Sequence, residues 1–200
     1  MTVITPPAAL PIRRIQWQLR QPAQINRSGW SGRRQVAGQP GGAVWTASGE
    51  FAPIVREANA RPWRAFWLAL RGAINTFYLP ASEGDQHALS FTARVNGAGQ
   101  TGRTLAIDGL PASTTIISSG ALVSIPTTNQ LLMLTSALTS NGSGQATLAF
   151  EPALRVSPAD NAIVETKNPV AHVALTSDAS GWSVDPGQVY GFAFDVEEVF

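Results

Sequence analysis

Turn chemistry limits what this chain can become more than any other feature. From Val95 to Val164 the sequence includes VNGAGQTGRTLAIDGLPAST and then ALVSIPTTNQLLMLTSALTSNGSGQATLAFEPALRVSPADNAIV. Short runs of Thr, Ile, Val, Leu and Phe alternate with glycines, prolines and Asn141-Gly142. A helix cannot form across such punctuation, whereas short strands joined by tight hairpins can. Strands are expected near Thr104–Ile107, Thr114–Ser118, Leu122–Ile125, Leu131–Leu138 and Gln145–Phe150, with another near Ala162–Lys167 to close the set. Five or six strands at this spacing predict a small closed or half-open barrel of OB or SH3-like type.

The flanking sequence has a different character. Ile15, Trp17 and Leu19 alternate with Arg14, Gln16, Gln18 and Arg20, a period of two that predicts a strand over Arg13–Arg20. Gln24 to Gly42 carries five glycines and three arginines without a period, and predicts an extended loop or an irregular hairpin. Ala43–Val55 returns to strand composition, with Pro53 suited to an edge or a strand end. Trp63, Phe66, Trp67 and Leu70 fall on one helical face, so a helix is expected over Asn59–Gly72. Pro62 would sit in its first turn, Asn59 or Ala60 near its cap and Gly72 at its stop. That aromatic stripe is core material, to be pressed against a sheet. Strands follow at Ile74–Leu79 and Leu89–Val95, and Tyr190, Phe192, Phe194 and Val196 alternate again near the end.

The expected fold is therefore mainly β. Residues 1–95 with 168–200 form a discontinuous β-sandwich or split-barrel-like domain with one short α-helix. Residues 96–167 form the inserted OB-like β-barrel.

Charged residues are only 14% of the chain, against ~25% in an average soluble protein, so much of the surface is suited to burial against partners. The absence of cysteine removes disulfides and thiolate metal sites. No basic segment precedes a long apolar run near Met1, and no window holds the ~20 apolar residues of a membrane helix. A soluble, unprocessed chain without membrane insertion is expected. The charge is unevenly spread: residues 1–80 carry ten arginines against Glu50 and Glu57, net +8, while residues 81–200 are net −7. Such a dipolar chain can dock basic surface to acidic surface, between its own copies or onto a partner. A single lysine argues against a generic polycationic DNA surface.

Catalytic chemistry finds little to work with. His87 and His172 show no metal-ligand spacing. Gly29-Trp30-Ser31-Gly32 lacks the nucleophile-elbow spacing, and Gly142-Ser143-Gly144 is hairpin chemistry. Gly97, Gly99 and Gly102 match G-x-G-x-x-G, but a strand and not a helix follows. Asp85, Asp108, Glu151, Asp160 and Glu165 single out no pair for acid–base work. Asp195, Glu197 and Glu198 form a terminal run read as solvated or as an interface. No catalytic residue, metal or cofactor is expected.

The chain resembles the distal tail proteins of long-tailed bacteriophages (siphophages). The resemblance rests on RSGWSGRRQVAGQPGGAVWTASGEF, on PWRAFWLALRG followed by INTFYLP, and on the barrel segment with EPALR and SPADN. It implies a virion protein forming a homohexameric ring at the distal end of the tail, after assembly in the host cytoplasm. Its partners would be its own copies, the tail tube protein, and the tail-tip hub and fibre proteins, with DNA only passing through the lumen. Arg27, Arg33 and Arg34 on the Asn26–Gly42 loop, and Asp195, Glu197 and Glu198, are the expected subunit or tube interface. The alternative is a carbohydrate-binding β module of a tail tip, with Trp30 and Trp182 as sugar platforms; a wall or polysaccharide hydrolase is the remaining class.

Overall fold

The computed structural model describes residues 1–39 and 41–200. In chain order the strands are β1 (Ile12–Arg20), β2 (Ala23–Arg27), β3 (Arg34–Gly38), β4 (Val44–Phe51) and β5 (Ile54–Val55), followed by helix α1 (Glu57–Leu70). Then come β6 (Thr76–Pro80), β7 (Ala93–Val95), β8 (Thr104–Asp108), β9 (Thr115–Ile117), β10 (Leu122–Ile125), β11 (Gln130–Leu134) and β12 (Leu138–Thr139). The rest are β13 (Ala146–Glu151), β14 (Ile163–Val164), β15 (Val170–Leu175), β16 (Ser183–Asp185), β17 (Val189–Gly191) and β18 (Ala193–Glu198). The chain is mainly β, with one helix among the described residues.

Two compact units emerge: Met1–Gln18, Trp45–Ala81 and Val170–Phe200 form unit 1, and Leu19–Val44 with Ser82–Pro169 form unit 2. The expected boundaries differ in two segments, since Leu19–Val44 and Ser82–Val95 group with the barrel. Long-range bonds explain both. Gln21 donates to Glu151 and Arg155 to the Ala43 carbonyl, while Gln86 reaches Leu122 and Thr166.

In unit 1 the sheet runs β1-β4-β18-β15-β6, so strands from both ends of the chain interleave. Helix α1 buries Trp63, Phe66, Trp67 and Leu70, the expected stripe. Phe51 lies at the centre of this layer, with ring centroids 5.0 Å from Trp63, 5.7 Å from Trp67, 5.9 Å from Phe194 and 6.0 Å from Phe192. The helix starts earlier than expected. Its cap is Arg56, without a side-chain bond, and Pro62 lies inside the helix beyond the first turn. Asn59 donates its amide to the Val55 carbonyl at 2.9 Å, so its side chain serves the preceding strand. At the C-terminus, left-handed Arg71 (φ 52°) and Gly72 (φ 64°) end the helix.

The main sheet of unit 2 runs β10-β11-β13-β8-β7-β14, and reciprocal backbone bonds between Ser124 and Glu165 (2.8 and 3.0 Å) bring it nearly to closure as a barrel. Val95, Leu105, Ile107, Val123, Ile125, Leu132, Leu148 and Phe150 fill the interior. Several expected strands are shorter than predicted or divided: Thr114–Ser118 reduces to β9, and Ala43–Val55 divides into β4 and β5. Leu89–Phe91 precedes β7 without pairing, Leu131–Leu138 is split into β11 and β12, and only Ile163–Val164 of the closing segment is a strand.

Interleaving also redistributes charge. Unit 1 holds six arginines against seven carboxylates, and unit 2 holds seven arginines and Lys167 against six, for nets of −1 and +2. The basic and acidic halves of the sequence are therefore not halves of the molecule. One segment alone keeps its bias: Leu19–Val44 has four arginines and no carboxylate.

Candidate interaction arm

That segment builds a regular hairpin where a loop or irregular hairpin was expected. Strands β2 and β3 pair through five consecutive positions, from Ala23 opposite Gly38 to Arg27 opposite Arg34. The turn closes on itself: Ser28 N–H donates to the Arg33 carbonyl at 3.0 Å and Gly32 N–H to the Ser28 carbonyl at 2.9 Å. Ser28 Oγ accepts the Ser31 N–H at 3.1 Å, and Gly32 takes the left-handed φ of 66° that the turn needs.

Register sorts the side chains, because directly opposed residues share a face. Ala23, Ile25, Val36 and Gly38 lie on one face with Arg27 and Arg34 at its distal end. The other face is mostly amide, with Gln24, Asn26 and Gln35 beside Ala37. Every described residue from Gln21 to Gln39 is exposed. Trp30, at the tip, is fully exposed, and among the described residues no carboxylate pairs with Arg27, Arg33 or Arg34.

The expected acidic partners separate by strand parity. Asp195 lies exposed opposite Ser48, and Glu197 lies half-buried opposite Thr46. Glu198, by contrast, shares the inward parity of Phe192, Phe194 and Val196. It is 3% exposed and accepts the Trp45 N–H at 3.4 Å. The run is not uniformly solvated, and Glu198 is a core group. The arginines belong to unit 2 and the carboxylates to unit 1.

Other polar groups serve the fold. His172 is buried between the Thr76 hydroxyl (2.8 Å) and the Val199 carbonyl (3.1 Å), and His87 stacks on Phe91 at 4.9 Å. Arg64 donates to Glu57 at 3.1 Å while its guanidinium lies 5.3 Å from the Trp182 ring and 5.1 Å from the Tyr190 ring. The Arg64 hydrogen bond, with the nearby Arg61 charge, holds the Glu57 carboxyl below the usual range. Asp85 is lowered likewise, first by its bond to Lys167 at 2.9 Å and then by Asn168.

Three glutamines had no signal in the sequence. Gln86 exchanges both amide bonds with the Leu122 backbone (2.6 and 3.1 Å) and also donates to the Thr166 carbonyl. Gln100 exchanges both with Ala106, and Gln130 spans the Ala153 carbonyl and the Arg155 N–H. Each carboxamide imitates a backbone peptide where strands part.

Among the described residues no group of three His, Cys, Asp or Glu side chains is placed to hold a metal, and no helix is long and apolar enough to cross a membrane. No family model matches the chain, and no curated protein matches its sequence.

Proposed function

We propose that this chain is a structural assembly protein whose β2–β3 hairpin is the arm that joins one subunit to the next. Following the resemblance of its sequence, we assign it to the ring at the distal end of a phage tail, between the tube and the tip proteins. The carrying observation is the unbroken exposure of Gln21–Gln39 in a well-registered hairpin. A lone two-stranded hairpin is marginal in water. One that presents an indole, Ile25, Val36 and three unpaired arginines is suited to an acidic, partly apolar surface.

Light scattering at low and high salt tests this reading. An oligomer that dissociates as salt rises, and that is lost in the R27E/R33E/R34E variant, is the expected result. A variant that assembles like the native chain would overturn the arm. The sugar-binding alternative draws on Trp30 alone, because Arg64 already occupies a face of Trp182; a shift of the Trp30 emission with added saccharide would favour it.

A further inference from the structure

Unit 1 contains a cleft of about 520 Å³. Trp67 and Phe194 form its apolar part, their rings stacked with centroids 6.0 Å apart. Trp67 is 4% exposed, and its indole N–H finds no acceptor among the described residues. A buried donor without a partner costs free energy until something supplies an acceptor. Ser180, whose hydroxyl donates to the Trp67 carbonyl at 3.4 Å, lies beside it.

Charge in the cleft comes from Arg14, Glu50 and Asp195. On neighbouring strands Glu50 faces Ala193 and Ser48 faces Asp195, so the two carboxylates share one face of the β4–β18 pair at diagonal positions. Both are exposed, and neither is ion-paired among the described residues. Two carboxylates against one guanidinium leave the cleft net negative.

We propose that this cleft receives the hairpin tip of a second copy of this chain, with Arg33 and Arg34 meeting Glu50 and Asp195 on the outward face of the β4–β18 pair and Trp30 covering the cleft mouth at Gly49, Ala193 and Gly181. This rests on the arm reading above and adds the surface on which the arm lands. The tip is shaped for such a role: Gly29 and Gly32 flank the Trp30–Ser31 turn, and the space around a Cβ at either glycine is empty. No acidic side chain between residues 19 and 44 opposes the approach. An indole ringed by arginines is also the composition in which interface energy concentrates. Arm and cleft are different surfaces, so the contact is head-to-tail, and successive copies either close into a ring or continue as a filament.

The test exploits a chain without cysteine. Chains carrying S31C at the tip are mixed with chains carrying S48C on the cleft wall and oxidised. The expected product is a disulfide-linked heterodimer, reduced about thirtyfold when the S31C chain also carries W30A. In parallel, D195R should weaken self-association at least tenfold, and R33D in the same chain should restore it. A heterodimer that forms equally well with W30A would overturn the proposal. An oligomer that is lost with R27E/R33E/R34E, yet gives no S31C–S48C link and tolerates D195R, would overturn the cleft while leaving the arm standing. A native chain that stays monomeric at every concentration would overturn both.

Discussion

Arg27 and Arg34 stand directly opposite each other across the β2–β3 hairpin, on the face that also carries Ile25 and Val36. Like charges at opposed positions oppose strand pairing, so the isolated hairpin is held below its attainable stability. R34E converts repulsion into a cross-strand ion pair. It should stabilise the hairpin by about 0.2–1 kcal/mol, read as slower amide exchange at Asn26 and Gln35, whose N–H groups face the partner strand. The same change should weaken self-association, read by sedimentation velocity. Loss of both properties together would mean that the arginines serve only the hairpin's own fold.

Phe51 touches four aromatic rings in unit 1. F51A should cost about 3–5 kcal/mol, because the rings around the vacated site belong to both helix and sheet and cannot all collapse into it. Chemical denaturation followed by tryptophan emission measures this directly.

Gly144 and Gly99 both adopt positive φ, at 71° and 79°, yet their surroundings differ. A Cβ at Gly144 would run into the Leu110 carbonyl oxygen, whereas one at Gly99 would meet open space. G99A should carry only the left-handed penalty of about 1–2 kcal/mol. G144A should cost clearly more, in a thermal melt monitored by far-ultraviolet circular dichroism.

Gln86 is the side chain that joins Leu122 to Thr166 at the barrel seam. Q86A leaves the Leu122 N–H and two carbonyls without these partners and should destabilise the barrel by about 1–3 kcal/mol. Q86E keeps the shape but loses both donated bonds, so it should cost at least as much at neutral pH. A neutral result for Q86E would show that shape alone matters there.

Glu57 has its carboxyl lowered by Arg64 and Arg61. A depressed carboxylate contributes stability above its unfolded pKa and loses it as pH falls through the lower, folded value. The melting temperature of the native chain should therefore exceed that of E57Q at neutral pH. The gap should close in acid, below the ordinary carboxylate range. A gap independent of pH would assign the effect to something other than the charge of Glu57.

Local periodicity made part of this molecule legible in advance. The Ile15–Trp17–Leu19 alternation and the Trp63–Phe66–Trp67–Leu70 stripe each carry their geometry in the spacing of large apolar residues. The hairpin was harder, because Ala37, Gly38 and the amides of β2 and β3 bury nothing and so leave no hydrophobic alternation to find. Glu198 was misread for a related reason: counting charges in a run ignores parity, and parity turns this one inward. Glutamine bridges such as Gln86–Leu122 depend on partners far away in sequence, and no local pattern marks them. Nor does a count of charges by sequence half survive a sheet in which β4 and β18 are neighbours.

The seam at Gln86 also bears on the order in which the chain folds. Gln86 N–H bonds the Lys167 carbonyl at 3.0 Å, so the segments leading into and out of the barrel are already side by side within unit 2. Val170 pairs with Pro80 just outside them. In an unfolded chain that pairing must close a very long loop, at an entropic cost that grows with loop length. Once the barrel has formed, the same contact is effectively local, and β6 and β15 can zip together from a shared starting point. Barrel formation is thus expected to set the pace of sheet formation. Every tryptophan except Trp30 lies in unit 1, so a Q86A chain should show delayed recovery of indole emission on refolding even though no indole was altered.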